Sequence, residues 1–221
     1  LFNGGSGTYI KSTEETHLYV KDSTNDAVRV DAKDVRAKVI GEGGNLGITQ
    51  LGRIELASHK VRLNTDALDN SAGVDLSDHE VNLKILLQRP LRRKAMSFED
   101  RGDLLEQVRT QIDDMVLRNN WAQSRMISLD EIRSRRDLPR FGRAIAFLSE
   151  RVPFNRREMF LPGQRVIAQR IPKGEGLLRP ELASLASNAK LDMRQELMKS
   201  EGFDLARLHE YLVSYFPPRI V

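Results

Sequence analysis

Hydrophobic and polar positions change rhythm once along this 221-residue chain, near position 88. Upstream, apolar stretches are short and run into loops of small residues. Val35 to Ile40 alternates and then becomes continuously apolar before Gly41, which predicts a strand of the buried kind. Leu1-Phe2 reads as the end of a strand followed by the turn Asn3-Gly-Gly-Ser-Gly7, and Arg62-Leu-Asn-Thr65 as a second short strand. Arg53 to His59 suits a short helix. Ser77 to Leu87 begins a longer one, with Val81, Ile85 and neighbouring leucines on one face.

From the Arg89-Pro90 joint onward the pattern is helical. Ser97-Phe-Glu-Asp100 and Ser128-Leu-Asp-Glu131 carry capping-box starts, the second in full form. Between them Leu105, Val108, Ile112 and Met115 recur at three-to-four spacing and predict one amphipathic face. Pro139 opens a segment with Phe141, Ile145 and Leu148; Pro180 opens another with Leu182, Leu185 and Ala186, running to Met198. Gly202 separates a last short helix, Leu205 to Tyr215, which Pro217-Pro218 stops. Internal repeats and low-complexity tracts are absent. The expected fold class is α/β followed by all-α, with a boundary between 1–88 and 89–221.

Two stretches carry the candidate chemistry: Lys38-Val-Ile-Gly-Glu-Gly-Gly-Asn45 and Asp69-Asn-Ser-Ala-Gly-Val74. Each resembles a parallel strand ending against a ligand, with little side chain in the way. An asparagine offers a donor and an acceptor from one side chain, which suits ribose hydroxyls or a carboxamide. Strand ends about 25 residues apart would lie side by side in a doubly wound sheet, as two parts of one cofactor crevice. Gly41-Glu-Gly43-Gly-Asn-Leu-Gly47, with Asp66 about 20 residues on, invites the dinucleotide fingerprint. It fails in detail: Leu46 holds the sixth position, and Ile48-Thr-Gln-Leu-Gly52 makes a poor helix start for a pyrophosphate. A pyrophosphate loop is expected upstream of Leu1.

Composition narrows the class. Hydrophobic residues make up 40% and charged residues 30%, with no cysteine, so disulfides and thiolate metal sites are excluded and a reducing compartment is compatible. No apolar run approaches the roughly 18 residues of a membrane helix. The first residues have no signal-peptide character, and the chain reads as an excised piece of something longer. Charge is uneven. Residues 1–88 hold 10 Lys+Arg against 13 Asp+Glu, a net of −3, and the remainder carries +7. The basic knots Arg89-Pro-Leu-Arg-Arg-Lys94 and Arg133-Ser-Arg-Arg136 can bind phosphates. They lack stacking aromatics and have acids interleaved, so a solvated or subunit-facing helix surface is the better reading, with no nucleic-acid or membrane partner.

Other constellations are weaker. Asp75, Asp78, His79 and Glu80 suggest a metal, yet acids in a first helical turn are ordinary complements to the helix dipole. His17, His59 and His209 read as surface or structural. No Ser/His/Asp arrangement is discernible, and Trp121 is expected in the core.

Three segments in particular carry a resemblance: Asn3-Gly-Gly-Ser-Gly-Thr-Tyr9, Val39 to Arg53, and Asn64 to Asn82. With them the chain resembles the C-terminal portion of the glutamate dehydrogenase superfamily, most of all the large bacterial NAD-specific enzymes. The resemblance continues more loosely through the helical remainder. It implies that residues 1–88 end a Rossmann-like NAD-binding domain and that 89–221 form a helical C-terminal region. Asn45 and Asn70 then face the nicotinamide half of NAD, with backbone clearance at Gly43 and Gly44 and a weaker cofactor contact at Gly4. Val74 packs against substrate and Ser77 binds its side-chain carboxylate. A serine at a helix N-terminus suits that role, with a plain N-cap as the lesser alternative.

Departures are local: Ser71-Ala72 replaces Ala-Gly, and Asp75, Asp78 and His79 replace an uncharged stretch. The family's catalytic lysine and aspartate are expected outside these residues.

The implied parent is a cytoplasmic homo-oligomer that converts L-glutamate to 2-oxoglutarate and ammonia with NAD. The fragment alone is expected to be inactive and to self-associate through an unpaired sheet edge. Two alternatives stand beside this reading: a helical interaction or regulatory module, and a dehydrogenase for another amino acid. The carboxylate-binding role of Ser77 argues against the second.

Overall fold

The computed structural model describes residues 1–151, 159–200 and 205–220; helices dominate it and no strand exceeds two residues. The order is β1 (Phe2–Asn3), β2 (Ile10–Lys11), α1 (His17–Val20), β3 (Val30–Asp31), β4 (Gly41–Glu42), α2 (Gln50–Ser58) and α3 (Asp66–Asp69). Six helices follow: α4 (Ser71–Arg92), α5 (Phe98–Arg136), α6 (Leu138–Arg151), α7 (Gln164–Arg170), α8 (Arg179–Lys199) and α9 (Leu205–Tyr215). Gly202 lies outside the described residues.

Every described strand pairing is parallel. β1 pairs with β4 through Phe2↔Gly41 and Asn3↔Glu42, and β2 pairs with β3 through Ile10↔Val30 and Lys11↔Asp31. Single bridges join Ile10 to Ile48 and Val39 to Arg62. The expected strands Val35–Ile40 and Arg62–Thr65 are therefore reduced to the single Val39–Arg62 bridge, and β4 begins just after the first of them.

Packing divides the chain into two units: residues 1–70 with 122–198, and 71–121 with 199–221. In the first, Ile10, Ala32, Ile40, Ile48, Leu56 and Leu63 form a small core under the strands. A larger one gathers Leu68, Ile127, Leu138, Ile145, Leu148, Ile167, Leu182 and Leu185 among the helices. In the second, Leu83 packs with Val108, Ile112 and Val116, and Phe216 and Ile220 cover that cluster. The composition change at Arg89-Pro90 falls inside α4, which runs only two residues past Pro90 before Lys94 turns left-handed.

Several helix limits follow the sequence. Ser97 and Asp100 form a reciprocal cap, with Asp100 N donating to Ser97 Oγ (3.0 Å) and Ser97 N to Asp100 Oδ2 (2.9 Å). α6 starts within a residue of expectation, and α8 and α9 start and stop within one. Thr49 begins α2 earlier than expected, its side chain accepting from Gly52 N (3.0 Å).

Others differ. Ser128 does not start a helix: it lies within α5, donating to Ser124 O (3.1 Å). No glycine or proline occurs between Asp103 and Leu138 to interrupt that helix. The Asp69–Val74 stretch is a helix-helix junction rather than a strand end, since Thr65 opens α3 and α4 begins at Ser71. Asp75, Asp78 and Glu80 consequently sit beyond the first turn of α4. The buried face of α4 is His79, Leu83 and Leu87 at four-residue spacing, while Val81 (54%) and Ile85 (66%) are exposed. Trp121 is 60% exposed and not in the core. Both basic knots are largely exposed apart from the partly buried Pro90 and Leu91 and the buried Ser134, and no described helix is long and apolar enough to cross a membrane.

Candidate functional site

β4 hands the chain to the loop 43–47, and the small residues there are explained by a close approach of two backbones. Gly43 N and Gly44 N both donate to Asn3 O (2.8 and 2.9 Å). A Cβ on Gly44 would collide with the Gly5 carbonyl, one on Gly43 with the Phe2 ring, and one on Gly47 with the Asn3 amide. Any larger residue at 44 would part the loops 3–5 and 43–47. Gly4, on the facing loop, is looser: a Cβ there meets only the edge of Phe2 at 3.2 Å.

Carboxylates from the 64–70 segment then fix the loop's amides. Asp69 Oδ2 accepts from Glu42 N (3.1 Å), and Asp66 Oδ2 accepts from Leu46 N (2.8 Å). Leu46 is held at φ +62°, a left-handed conformation costly for a leucine, with its side chain 67% exposed. The outcome is a direct contact between the two motifs: Asn70 Nδ2 donates to Asn45 Oδ1 at 3.1 Å. Among the described residues one amide group on each partner has no hydrogen-bond partner, a donor on Asn45 and an acceptor on Asn70. Reversing both amides leaves one of each again. This is the hydrogen-bonding complement of a ribose diol or a carboxamide.

Beneath the loop lies a buried ionic knot. Arg53 grips Glu42 through Nε (2.7 Å) and Nη2 (2.8 Å), and the same Nη2 reaches Asp66 Oδ1 (3.1 Å). Burial pushes the Glu42 carboxyl above its ordinary value, opposed by the Arg53 guanidinium. Burial also works against the Arg53 charge, but Glu42 and Asp66 hold it more firmly ionised than usual. Glu42, Arg53, Asp66 and Asp69 thus shape the loop, and the sequence pattern singled out none of them for that role. The available signal was Arg53 at the apolar side of a short helix, a charge that must find a partner if buried.

In the second unit, Val74 and Ser77 lie three residues apart on α4, both exposed. Ser77 is in the second turn, not at a helix N-terminus, so neither the N-cap nor the free-amide reading of it holds. Its Oγ donates to Val74 O (2.8 Å) instead. His79 is buried, its ring stacked on Tyr215 at 4.2 Å with Asp75 3.5 Å from Nε2. Asn82 Nδ2 donates to the Tyr215 hydroxyl (2.9 Å). No group of three or more metal-ligating side chains occurs among the described residues. His17 contacts the buried Arg29, and His59 ends α2.

Mostly helical, with a small all-parallel strand portion whose loops carry glycine and asparagine, the chain falls in the broad class of mixed α/β and helical proteins. Its family follows from comparison: the chain belongs to the bacterial NAD-glutamate dehydrogenases. The family model described as bacterial NAD-glutamate dehydrogenase, catalytic domain, matches residues 1–130, and that described as glutamate dehydrogenase, C-terminal, matches 174–221.

NAD-specific glutamate dehydrogenase of Pseudomonas aeruginosa is 45% identical over 200 residues, 90% of this chain and 12% of that protein. The enzyme of that name from Mycobacterium tuberculosis is 44% identical over 217 residues, 98% of the chain and 13% of the relative. That from Halomonas elongata is 38% identical over 217 residues, 98% of the chain and 14% of the relative. The chain therefore spans about an eighth of the length of these relatives.

Proposed function

We propose that the protein containing this chain oxidises L-glutamate with NAD and water to 2-oxoglutarate, ammonia and NADH. Residues 1–88 are read as the end of a Rossmann-like NAD-binding domain and 89–221 as its helical continuation, in a cytoplasmic homo-oligomer. Family membership supports the reaction. The observation that carries the site is the Asn70–Asn45 hydrogen bond, which joins the two motifs at an exposed position.

Bound NAD, held by Asn45 and Asn70, would supply the hydride acceptor for oxidation at the substrate's α-carbon. The residues of this chain bind and orient. Asn45 and Asn70 hold the nicotinamide ribose or carboxamide, and Gly4, Gly43 and Gly44 keep side chains out of its way. Val74 packs against glutamate, and Ser77 turns its hydroxyl from Val74 O to the side-chain carboxylate. The family's catalytic lysine and aspartate belong to other parts of the protein.

NADH formation by the full-length enzyme with L-glutamate, set against leucine, phenylalanine and NADP, tests the reaction. Silence with glutamate sinks it. Ser77→Ala is expected to raise KM for glutamate more than it lowers kcat, and unchanged kinetics would remove Ser77 from the site. Exposure of Val81, Ile85 and Leu86 along one helix favours a second reading of α4 as an interaction surface between subunits. A monomeric enzyme by light scattering would exclude it.

A further inference from the structure

We propose that Arg179, at the start of α8, is a positioning residue for the Asn45–Asn70 pair, acting through Asn64 and Asp69. The inference rests on the NAD reading of that pair. Asn64 Oδ1 accepts from Arg179 Nε (3.1 Å) and Nη2 (2.9 Å), while Asn64 Nδ2 donates to Asp69 Oδ1 (2.7 Å). A guanidinium only donates and a carboxylate only accepts, so the amide between them is held in one orientation. Aspartate in its place would lose the donor, and leucine would lose both groups. The other oxygen of Asp69 accepts from the backbone of Glu42, which opens the glycine loop. Asp69 also immediately precedes Asn70. One carboxylate therefore holds the backbone three residues before Asn45 and belongs to the residue that precedes Asn70.

Arg179 is itself anchored, its side chain only 19% exposed. Its Nη1 donates to Ser128 Oγ (2.9 Å) and lies 3.4 Å from Glu131 Oε2, both on α5. The first turn of α8 is further pinned by Arg170, which grips Glu181 through two nitrogens at 2.7 and 2.9 Å. Ser184 Oγ accepts from Gln50 Nε2 at 3.1 Å. An apolar seam would hold these helices equally close, but only directional bonds transmit orientation to a loop. Ser128 and Glu131, which have the spacing of a helix cap, serve as part of this anchor. Through these contacts the helical region fixes the carboxylate that shapes the cofactor loop.

Two variants of the full-length enzyme test this. Asn64→Asp keeps size and the acceptor for Arg179 but sets a second carboxylate against Asp69. Arg179→Met keeps the stem and removes the guanidinium. NADH affinity, read by equilibrium fluorescence titration, is expected to weaken about tenfold in N64D and about fivefold in R179M. KM for NAD should follow, with KM for glutamate moving less than about twofold. Arg133→Ala, an exposed arginine of α5, is the unchanged control.

Wild-type NADH affinity in N64D overturns the proposal, whether or not its melting temperature falls, because that pattern marks a structural tie only. If R179M does not fold, N64D decides. Asn45→Ala separates the two levels. Unchanged NADH affinity in N45A defeats the NAD reading on which the relay rests. Weakened binding in N45A with normal binding in N64D defeats the relay alone.

Discussion

The first 70 residues and the second packing unit are held by different kinds of contact. In the former, Thr8, Lys11, Ser12, Glu15, Arg29, Glu42, Arg53 and Thr65 are all buried. Their partners are specific: Arg29 Nε donates to Thr8 O (2.7 Å), Ser12 N donates to Glu15 (2.7 Å), and Arg53 grips Glu42. In the second unit, 71–121 with 199–221, His79 is the one buried polar side chain among the described residues, and Leu83, Val108, Ile112 and Val116 do the packing. Hydrogen bonds have direction and an unmade one is costly when buried, so a polar interior dictates the path of a loop. Apolar side chains fix spacing between helices and tolerate rearrangement. The loop 43–47, which meets Asn70 through Asn45, accordingly lies above the polar interior.

The sharpest way to break that contrast is Arg53→Met. Glu42 would be left buried without a countercharge, at a cost of about 3–5 kcal/mol. Hydrogen exchange of the full-length enzyme should show the amides of Gly43 to Leu46 opening with a much lower free energy. Unaltered exchange there would mean that the ionic knot does not shape the loop.

Leu83→Ala is the corresponding lesion in the apolar unit. Truncation of this side chain, 1% exposed, should cost about 2–5 kcal/mol. The faster exchange should be confined to α4 and the adjoining part of α5. Spread of the effect to residues 43–46 would erase the distinction between the two regions.

The smallest effect is a pH dependence at Glu55. Burial pushes its carboxyl up, but Ser12 Oγ (2.6 Å), Thr13 Oγ1 (2.6 Å) and Thr13 N (2.8 Å) all donate to it and bring it below the ordinary value of 4.5. A lowered folded-state value stabilises above the ordinary carboxylate range and loses that contribution as pH falls through it. The stability deficit of Glu55→Gln should be full at neutral pH and shrink below about pH 4.5. A deficit independent of pH would assign the effect to shape rather than charge.

Part of this organisation could be read along the chain. Ser97 and Asp100 cap a helix because both halves of the box are local, and Leu205 to Tyr215 ends before Pro217 because proline cannot continue it. The same local rule misplaces a helix start at Ser128, where Arg179, 51 residues away, uses the hydroxyl instead. It misplaces Ser77 as well, because α4 starts six residues earlier, at the junction that Asn70 creates. Hydrophobicity alone puts Trp121, Val81 and Ile85 inside, and the fold leaves them exposed. Which stripe of a helix is buried depends on what lies opposite, and the stripe through His79 has Tyr215 stacked against it.

By itself, the sequence determined what is written in residue type and short spacing: the helical character beyond position 88, the cap at Ser97, the glycine positions and the asparagine in each motif. Those depend on backbone sterics and contacts within a turn or two. Only the tertiary structure decided that Asn45 meets Asn70, that Arg53 lies beneath them with Glu42 and Asp66, and that Arg179 reaches Asn64 across 115 positions. Such pairings depend on where burial leaves a charge or an amide without water, and that is set when distant segments pack.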